Sequence, residues 1–379
     1  MPTADNGAST RPRVLLVCSQ PSLTCSALYC LRGMGAKVVA AGDPGLNFLR
    51  FSRYCETFAP CQVYGADPDQ FAARVTELAA AYRIDVVMPG DSDSLLLLAE
   101  VEDRLTTPVF PIPTLPQLHR LNDKHAFHDT CVQVDVPVPA SVFVADKHGL
   151  NPDELGERFG YPLIVKPTTW GGSDGLVLAK SADDVRRQII ENDDYQYGPL
   201  VAQEFLPGQD VGLNVFAVDG EAILAAPQMR DGETITHLDN EQVVALGKQY
   251  VKAAGLTGLA HLDARLGPDG QVRFLECNPR IWASVCHSYW CGENYVEAGI
   301  RQALGLPTGE QAYIANRSVT APAHLLFDLA RGRRKPWSLD RYNRRALAQG
   351  CADPVLLLRR FFDRSTRREV LPANDFPKD

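Results

Sequence analysis

Asp263, Glu276 and Asn278 offer three oxygen-bearing side chains around an Asp-Gly dipeptide. Residues 258–266 and 271–278 read as strands, and Asp269-Gly270 between them is the strongest short hairpin signal, a two-residue type I′ turn. With Pro268 paired to Gln271, counting outward sets Asp263 opposite Glu276. Facing residues stand about 4.5–5.5 Å apart at Cβ, where like charges repel unless they are neutralised. A hard divalent cation, Mg²⁺ above all, neutralises them through oxygen ligands. Alternation turns Asn278 to the face of Glu276 and Cys277 away from it. An isolated Asp/Glu pair reads more simply as a solvated hairpin. Here Leu259, Leu262, Val272, Phe274 and Leu275 flank the acids, which favours an internal strand and a metal site.

A second group of residues suits phosphate. Trp170-Gly171-Gly172-Ser173-Asp174-Gly175 lies between two apolar runs, so it can fold as a β-turn-β flap whose backbone N–H groups approach an anion closely. It is no Walker A loop, because the glycine spacing and the Gly-Lys-Ser/Thr ending are missing. Lys166 precedes it at the end of a strand, and Lys124 lies on an earlier helix. Each ammonium is a mobile point charge able to reach phosphate oxygens, although a lone lysine is more simply solvated surface.

The elements that must position these residues follow from periodicity. The pattern predicts strands over 13–18, 37–41 and 84–88 with helices over 22–34 and 70–82, a small parallel α/β unit. Its first turn, Cys18-Ser19-Gln20-Pro21-Ser22, lacks the G-x-G-x-x-G of a dinucleotide site, which argues against a nicotinamide oxidoreductase. Residues 108–116 hold four prolines and read as a rigid connector. Beyond it the pattern predicts a helix over 118–132, strands over 163–166 and 176–179 about the glycine turn, a helix over 182–190 and a strand over 200–205. A second Asp-Gly hairpin, at Asp219-Gly220, joins 211–218 to 221–226, and a helix over 241–254 stops at Gly255. After about residue 307 the chain turns basic, with Arg331, Arg333, Arg334 and Lys335, and reads as solvated surface.

The bulk numbers suit a globular enzyme of two or three domains. The chain has 379 residues, 45% apolar and 22% charged, with a net charge of −8 that disfavours nucleic acid and anionic membranes as partners. The first twelve residues lack the apolar core of a signal peptide, and no stretch is apolar enough to span a membrane. Ten cysteines without a C-x-x-C pair suggest reduced thiols in the cytoplasm. Cys286, His287 and Cys291 are close in sequence, but regular zinc spacing is absent, so buried structural thiols are the simpler reading.

From about residue 121 to 304 the sequence resembles the ATP-grasp superfamily. The matching strings come in that superfamily's order: Asn122-Asp123-Lys124, Ile164-Val165-Lys166-Pro167, the glycine flap, Gln203-Glu204-Phe205-Leu206, Asp210, Asp263, and Glu276-Cys277-Asn278-Pro279-Arg280. The part before Pro113 resembles the small domain that precedes the grasp in D-alanine–D-alanine ligases, biotin carboxylases and carbamoyl-phosphate synthases. The fold implied is mixed α/β and α+β, an ATP-grasp fold with an N-terminal parallel α/β (pre-ATP-grasp) domain. Its expected parts are that domain over 11–113, a small lobe with the flap over 114–203, a large lobe with the metal site over 204–310, and a C-terminal extension over 311–379.

The resemblance implies that ATP lies between the lobes. Lys124 and Lys166 would take its phosphates under a lid made of Gly171, Gly172, Ser173 and Gly175. Gln203, Glu204, Phe205 and Leu206 would read adenine, and Asp210 would hold the ribose. Asp263, Glu276 and Asn278 would hold two Mg²⁺ ions, with Mn²⁺ able to replace them, and Arg280 would stabilise charge in transit. His261 stands where several relatives carry an arginine, so Arg230 or Arg280 is left to supply that charge; a satisfied strand histidine is an equal reading.

The expected activity is an ATP-dependent carboxylate–amine ligase. A carboxylate takes the γ-phosphoryl group, and an amine then displaces phosphate from the acyl phosphate to give an amide, by default an amino-acid or small-peptide product. An ATP-grasp kinase or a non-ligating nucleotide-binding protein would use the same ATP site. Expected partners are a small-molecule carboxylate and amine, and a homodimer is compatible with the family. Candidates for the acceptor pocket are Gly90-Asp91-Ser92-Asp93, Trp170, His237, Tyr289 and Trp290. Glu276→Gln is expected to abolish turnover with little loss of folding.

Overall fold

The computed structural model describes residues 11–169, 171, 173–309 and 311–362. Trp170 and Gly172, two of the expected flap residues, lie outside the described residues, as does 363–379 of the expected extension. Three sheets organise the chain. The first is parallel, with β1 (Arg13–Cys18), β2 (Lys37–Gly42), β3 (Thr57–Pro60) and β4 (Val86–Pro89) in the order β3-β2-β1-β4. β1 and β2 are continuous apolar runs buried along almost their whole length, as strands covered on both faces must be.

The second sheet is antiparallel, with β5 (Ser141–Val144), β6 (Leu163–Pro167), β7 (Val177–Ala179) and β8 (Leu200–Glu204) in the order β5-β8-β6-β7. The glycine-rich segment joins the paired strands β6 and β7. The third sheet is antiparallel and larger. It contains β9 (Gln209–Val218), β10 (Glu221–Asp231), β11 (Thr234–His237), β12 (Gly258–Leu266), β13 (Val272–Asn278) and β14 (Arg317–Thr320), in the order β13-β12-β9-β10-β11-β14.

One face of this sheet packs Val211, Leu213, Val215, Leu262, Ala264 and Phe274 against the helices Lys124–Gln133 and Glu241–Ala254. The opposite face carries the polar residues of the site. Period-two alternation therefore divides each strand between core and chemistry.

The β12–β13 hairpin departs from the expected turn in two ways that cancel. Gly267 N–H donates to Gln271 O at 2.9 Å and Gly270 N–H to Gly267 O at 3.0 Å, so three residues, 268–270, close the loop. Gly270 has φ +75° while Asp269 is not left-handed, which excludes type I′ and matches a type I turn followed by a left-handed residue. The ladder then runs Leu266↔Val272, Arg265↔Arg273 and Ala264↔Phe274 before a β-bulge, after which Asp263 faces Glu276 as expected. Leu275 is the extra residue. The bulge sets Phe274 and Cys277 in the core but leaves Glu276 and Asn278 on the site face.

A second difference concerns the helix expected over 118–132. It is two helices, Leu115–Asn122 and Lys124–Gln133, separated by Asp123 in extended conformation (φ −88°, ψ 120°). The Asp123 carboxylate accepts the Ala126 N–H at 2.8 Å, an N-cap that restarts the helix and makes Lys124 its first residue.

Arg331, Arg333 and Lys335 are exposed as expected, but the C-terminal stretch around them is not all surface. β14 extends the third sheet, the helix Arg341–Ala352 packs against it, and Pro322–Ala330 packs on that helix. Trp290 Nε1 donates to Gln349 Oε1 at 2.7 Å, Gln349 Nε2 to the Tyr289 hydroxyl at 2.6 Å, and Tyr54 OH to Gln349 O at 2.6 Å. Together with Leu28, Leu31, Leu325 and Ala346 these aromatics form one core that ties the C-terminal helices to the first sheet.

Candidate functional site

Glu276 is the centre of the site. Its Oε2 lies 3.4 Å from Lys166 Nζ and 3.4 Å from Lys124 Nζ. Lys166 projects from β6 in the second sheet, Glu276 from β13 in the third, and Lys124 from the helix that Asp123 caps. Three separate elements thus converge on one carboxylate. Lys124 is 7% exposed, so its ammonium has lost most of its water. Burial pulls the Lys124 ammonium below its ordinary range, with Glu276 offsetting part of that effect. Burial alone would raise the Glu276 carboxyl, but the ammonium groups of Lys166 and Lys124 override it and hold it down at about 2.

Asn278 joins the two acids. Its Nδ2 donates to Asp263 Oδ2 at 2.8 Å and reaches Glu276 Oε1 at 3.4 Å. Arg280 Nη2 donates to Asn278 Oδ1 at 3.1 Å. Burial pulls the Arg280 guanidinium down from its ordinary range, opposed by the charges of Asp263 and Glu276. The two carboxylates, each hydrogen-bonded to the Asn278 amide, are oxygen donors that fit a hard divalent cation, with phosphate oxygens and water completing the set; the Asn278 oxygen faces Arg280 and joins them only with its amide turned over. Among the described residues no group of three or more His, Cys, Asp or Glu could hold a metal by itself, so the zinc alternative at Cys286, His287 and Cys291 has no cluster behind it.

His261 lies beside the acids, with Nε2 at 3.2 Å from Asp263 Oδ1 and Nδ1 at 2.9 Å from Asn214 Oδ1. Its ring stacks on Trp282 at 6.0 Å between centroids. Arg230, the other expected source of positive charge, is turned elsewhere: its Nε donates to Gly232 O at 2.9 Å and Nη2 lies 3.7 Å from Glu233.

The remaining expected residues surround this centre at different distances from it. Gly171 is exposed, and Ser173 and Gly175 adopt left-handed φ of +66° and +72°. A Cβ at Gly175 would meet Pro167 and Tyr197 at 2.8 Å, and the Tyr195 hydroxyl donates to Gly175 O at 2.7 Å, so the C-terminal end of the flap is anchored. Gln203 is buried with Nε2 donating to Ser141 Oγ at 3.1 Å, and Glu204 Oε1 accepts the Ala140 N–H at 2.8 Å. Leu206 is half-buried beyond them. Phe205 lies 5.7 Å from the guanidinium of Arg265, which also pairs with Asp210.

Of the acceptor candidates, Asp91 has a structural task. Its Oδ2 accepts the Gln20 N–H at 2.8 Å, and its Oδ1 accepts the Ser94 N–H at 3.0 Å as the cap of Ser92–Val101. Ser19 Oγ donates to Asp93 at 2.8 Å. Tyr289 and Trp290 belong to the core described above. His237 is fully buried, its Nε2 at 3.0 Å from Ser288 Oγ, and burial presses its ring down to about 4.

Sequence reasoning missed a polar layer behind the acids. Asn214 Nδ2 donates to Gln228 Oε1 at 2.9 Å and to Ser288 Oγ at 3.3 Å, while Gln228 Nε2 donates to Ser284 Oγ at 3.0 Å. The signal was present, since Asn214 and Gln228 each interrupt an otherwise apolar strand run.

Comparison with known proteins gives this site a context. Residues 196–323 match the family model described as ATP-grasp in the biosynthetic pathway with Ter operon. A D-alanine–D-alanine ligase of Coprothermobacter proteolyticus is 26% identical over 165 residues, 37% of this chain and 53% of the relative. The chain thus spans about half the length of that curated relative. The L-amino acid ligase of Bacillus licheniformis superposes with a TM-score of 0.61 at 16% identity, covering 78% of this chain and 75% of that one. The biotin carboxylase domain of 2-oxoglutarate carboxylase from Hydrogenobacter thermophilus, solved with MgADP and bicarbonate, gives a TM-score of 0.61 at 16% identity over 81% and 72% of the two chains. With its glycine-rich segment in the second sheet and its acids in the third, behind a parallel α/β unit, the chain has an ATP-grasp fold, and its residues 196–323 match an ATP-grasp family model.

Proposed function

We propose that this chain is an ATP-dependent carboxylate–amine ligase that forms an amide through an acyl phosphate. The observation that carries the reading is Glu276, which draws Lys166 from one sheet and Lys124 from a separate helix to a single carboxylate oxygen beside Asp263 and Asn278. Two ammonium groups already gathered there have an obvious use in holding a polyphosphate. The activities named for the D-alanine–D-alanine ligase and L-amino acid ligase relatives support the same class.

In this reading ATP enters between the second and third sheets. Lys124 and Lys166 leave Glu276 for the phosphate oxygens, and the flap at Gly171, Ser173 and Gly175 closes over them to exclude water. The Gln203–Leu206 segment offers backbone groups to adenine, and Asp210 accepts from the ribose hydroxyls. Two divalent cations, Mg²⁺ or Mn²⁺, held by Asp263, Glu276 and Asn278, would supply screening of the triphosphate charge. Arg280, whose Nη2 donates to Asn278 Oδ1 beside the acids, stabilises the charge on the phosphate or acyl phosphate in transit. The carboxylate oxygen bonds to phosphorus as the bond to ADP breaks; the amine then adds to the acyl carbon, and inorganic phosphate leaves with the amide formed. Ten cysteines with no disulfide between them fit a reducing, cytoplasmic setting for this chemistry.

The test is product analysis of the purified protein with MgATP and pairs of amino acids and small carboxylates. ADP, phosphate and an amide in equal amounts are expected, with a hydroxamate when hydroxylamine replaces the amine. A stable phosphorylated product with no phosphate release would instead make the chain a kinase.

A further inference from the structure

We propose that Asn214 is a positioning residue that sets the Asp263 carboxylate for cation binding by fixing the ring of His261. This inference rests on the reading of Asp263 as a cation ligand. Asn214 is fully buried on β9, where it stands across from His261 in the ladder. Its Nδ2 is committed to two acceptors, Gln228 Oε1 and Ser288 Oγ, so the amide cannot turn without losing both bonds. Oδ1 is thereby aimed at His261 Nδ1, 2.9 Å away.

The ring has little other freedom. Trp282 stacks on it, and Gly212, which faces Asp263 in the ladder, leaves the space that its Cε1 and Nε2 fill; a Cβ at Gly212 would overlap those atoms. The edge carrying Nε2 is therefore held against Asp263 Oδ1 at 3.2 Å, while Asn278 holds Oδ2 at 2.8 Å from the other side. A carboxylate held at Oδ2 by the Asn278 amide and confined at Oδ1 by the ring edge has lost most of its rotamer entropy before the cation arrives, and residues that orient ligands in this way are typically worth about 10- to 100-fold in metal affinity.

Two substitutions disturb the ring by unrelated means. Asn214→Ala removes the acceptor that aims it, and Gly212→Ala pushes it from its seat. Mn²⁺ binding to the full chain, followed by electron paramagnetic resonance in the presence of a non-hydrolysable ATP analogue, reads the result without turnover. Both variants are expected to weaken Mn²⁺ by about 10-fold or more, with affinity for the metal-free nucleotide unchanged. Ser284→Ala, which trims the polar layer two bonds further from the ring, lowers the melting temperature without moving Mn²⁺ affinity. Equal Mn²⁺ affinity in wild type and a folded Asn214→Ala or Gly212→Ala overturns the inference, as does an equal loss in Ser284→Ala. Failure of the wild type to bind Mn²⁺ removes the parent reading instead.

Discussion

The site face of the third sheet carries two rows of charge one step apart along its strands, and they differ in what each charge is paired with. In the inner row Glu276 and Asp263 face each other on β13 and β12; Lys124 and Lys166 reach Glu276 from other elements, while Asn278, two residues along β13, holds Asp263 and accepts from Arg280. In the outer row Arg265 on β12 faces Asp210 on β9 and pairs with it directly. The outer pair is open to water at its acid, the Asp210 side chain being 66% exposed against 18% for Arg265, whereas in the inner row Asp263 is 39%, Glu276 21% and Lys124 7% exposed. An exposed pair of this kind stabilises by at most about 1 kcal/mol, because water and salt screen it. A desolvated cluster is different: each charge there depends on the others, and removing one strands the rest. The inner row therefore concentrates both the chemistry and the folding cost.

The sharpest way to break this contrast is Glu276→Gln. Turnover is expected to fall on the order of 10³-fold, through loss of a cation ligand at the reacting phosphate. The sequence alone suggested that folding would hardly notice. The geometry revises that expectation, because glutamine removes the carboxylate charge that two ammonium groups, one of them buried, share. The melting temperature at pH 7 should drop by several degrees. It should recover in part as the pH is raised, since burial already lowers the Lys124 pKa and a neutral amine relieves the cost. A variant that melts like wild type at pH 7 would show that the inner row is wetter than its geometry implies. Lys166→Met ranks next, with turnover down by about 10²-fold and a raised KM for ATP.

How much of this was legible beforehand is best judged from the two Asp-Gly hairpins. At Asp219-Gly220 the dipeptide forms the expected type I′ turn, with φ +49° and +79°. At Asp269-Gly270 the same dipeptide sits in a three-residue loop. The Asp263↔Glu276 pairing was read correctly from an incorrect turn, because the extra loop residue is compensated by the bulge at Leu275. No local rule announces such a bulge; it is set by the demand that Phe274 and Cys277 both reach the core while Glu276 faces the opposite side of the sheet. The break at Asp123 was legible in principle, since aspartate is a preferred cap, but the apolar spacing on either side suggested one unbroken helix. The approach of Lys166 and Lys124 to Glu276 was beyond sequence, because it depends on how a second sheet and a capped helix dock on the third. Only the order of motifs in the superfamily hinted at it.

The outer row supplies a smaller effect. Asp210→Ala should raise the KM for ATP by about 5-fold, the worth of one hydrogen bond, and leave kcat unchanged. Steady-state kinetics check it, and a large fall in kcat would dissolve the distinction between the rows. Stability should move by less than about 1 kcal/mol, because Arg265 keeps its contact with Phe205 and water replaces the carboxylate.

The smallest expected effect lies behind the inner row and concerns pH rather than turnover. Tyr295 OH reaches Asn214 O at 3.4 Å, and the tyrosine is also hydrogen-bonded to Glu293, which is 8% exposed with Oε2 lacking a partner among the described residues. Burial raises the Glu293 carboxyl from 4.5 to about 7, with Tyr295 and Arg317 holding it back in part. The folded state then keeps a proton that the unfolded chain releases, so this group's stabilising contribution is complete below about pH 4.5 and declines as pH rises to about 7. His237 tilts the other way. Its ring is depressed to about 4, so its contribution is complete above the unfolded value of 6.5 and declines as pH falls to about 4. The two slopes oppose each other over the same interval. Replacing Glu293 with glutamine leaves the His237 slope alone, so urea unfolding of the variant should show stability rising from pH 4.5 to 6.5 more steeply than wild type does. The difference between the two proteins should be near zero at pH 4.5 and grow to between about 1 and 3 kcal/mol in favour of the variant by pH 8. A pH-independent difference would mean that Glu293 is ionised in the fold, and that the layer behind Asn214 admits water as readily as the outer row does.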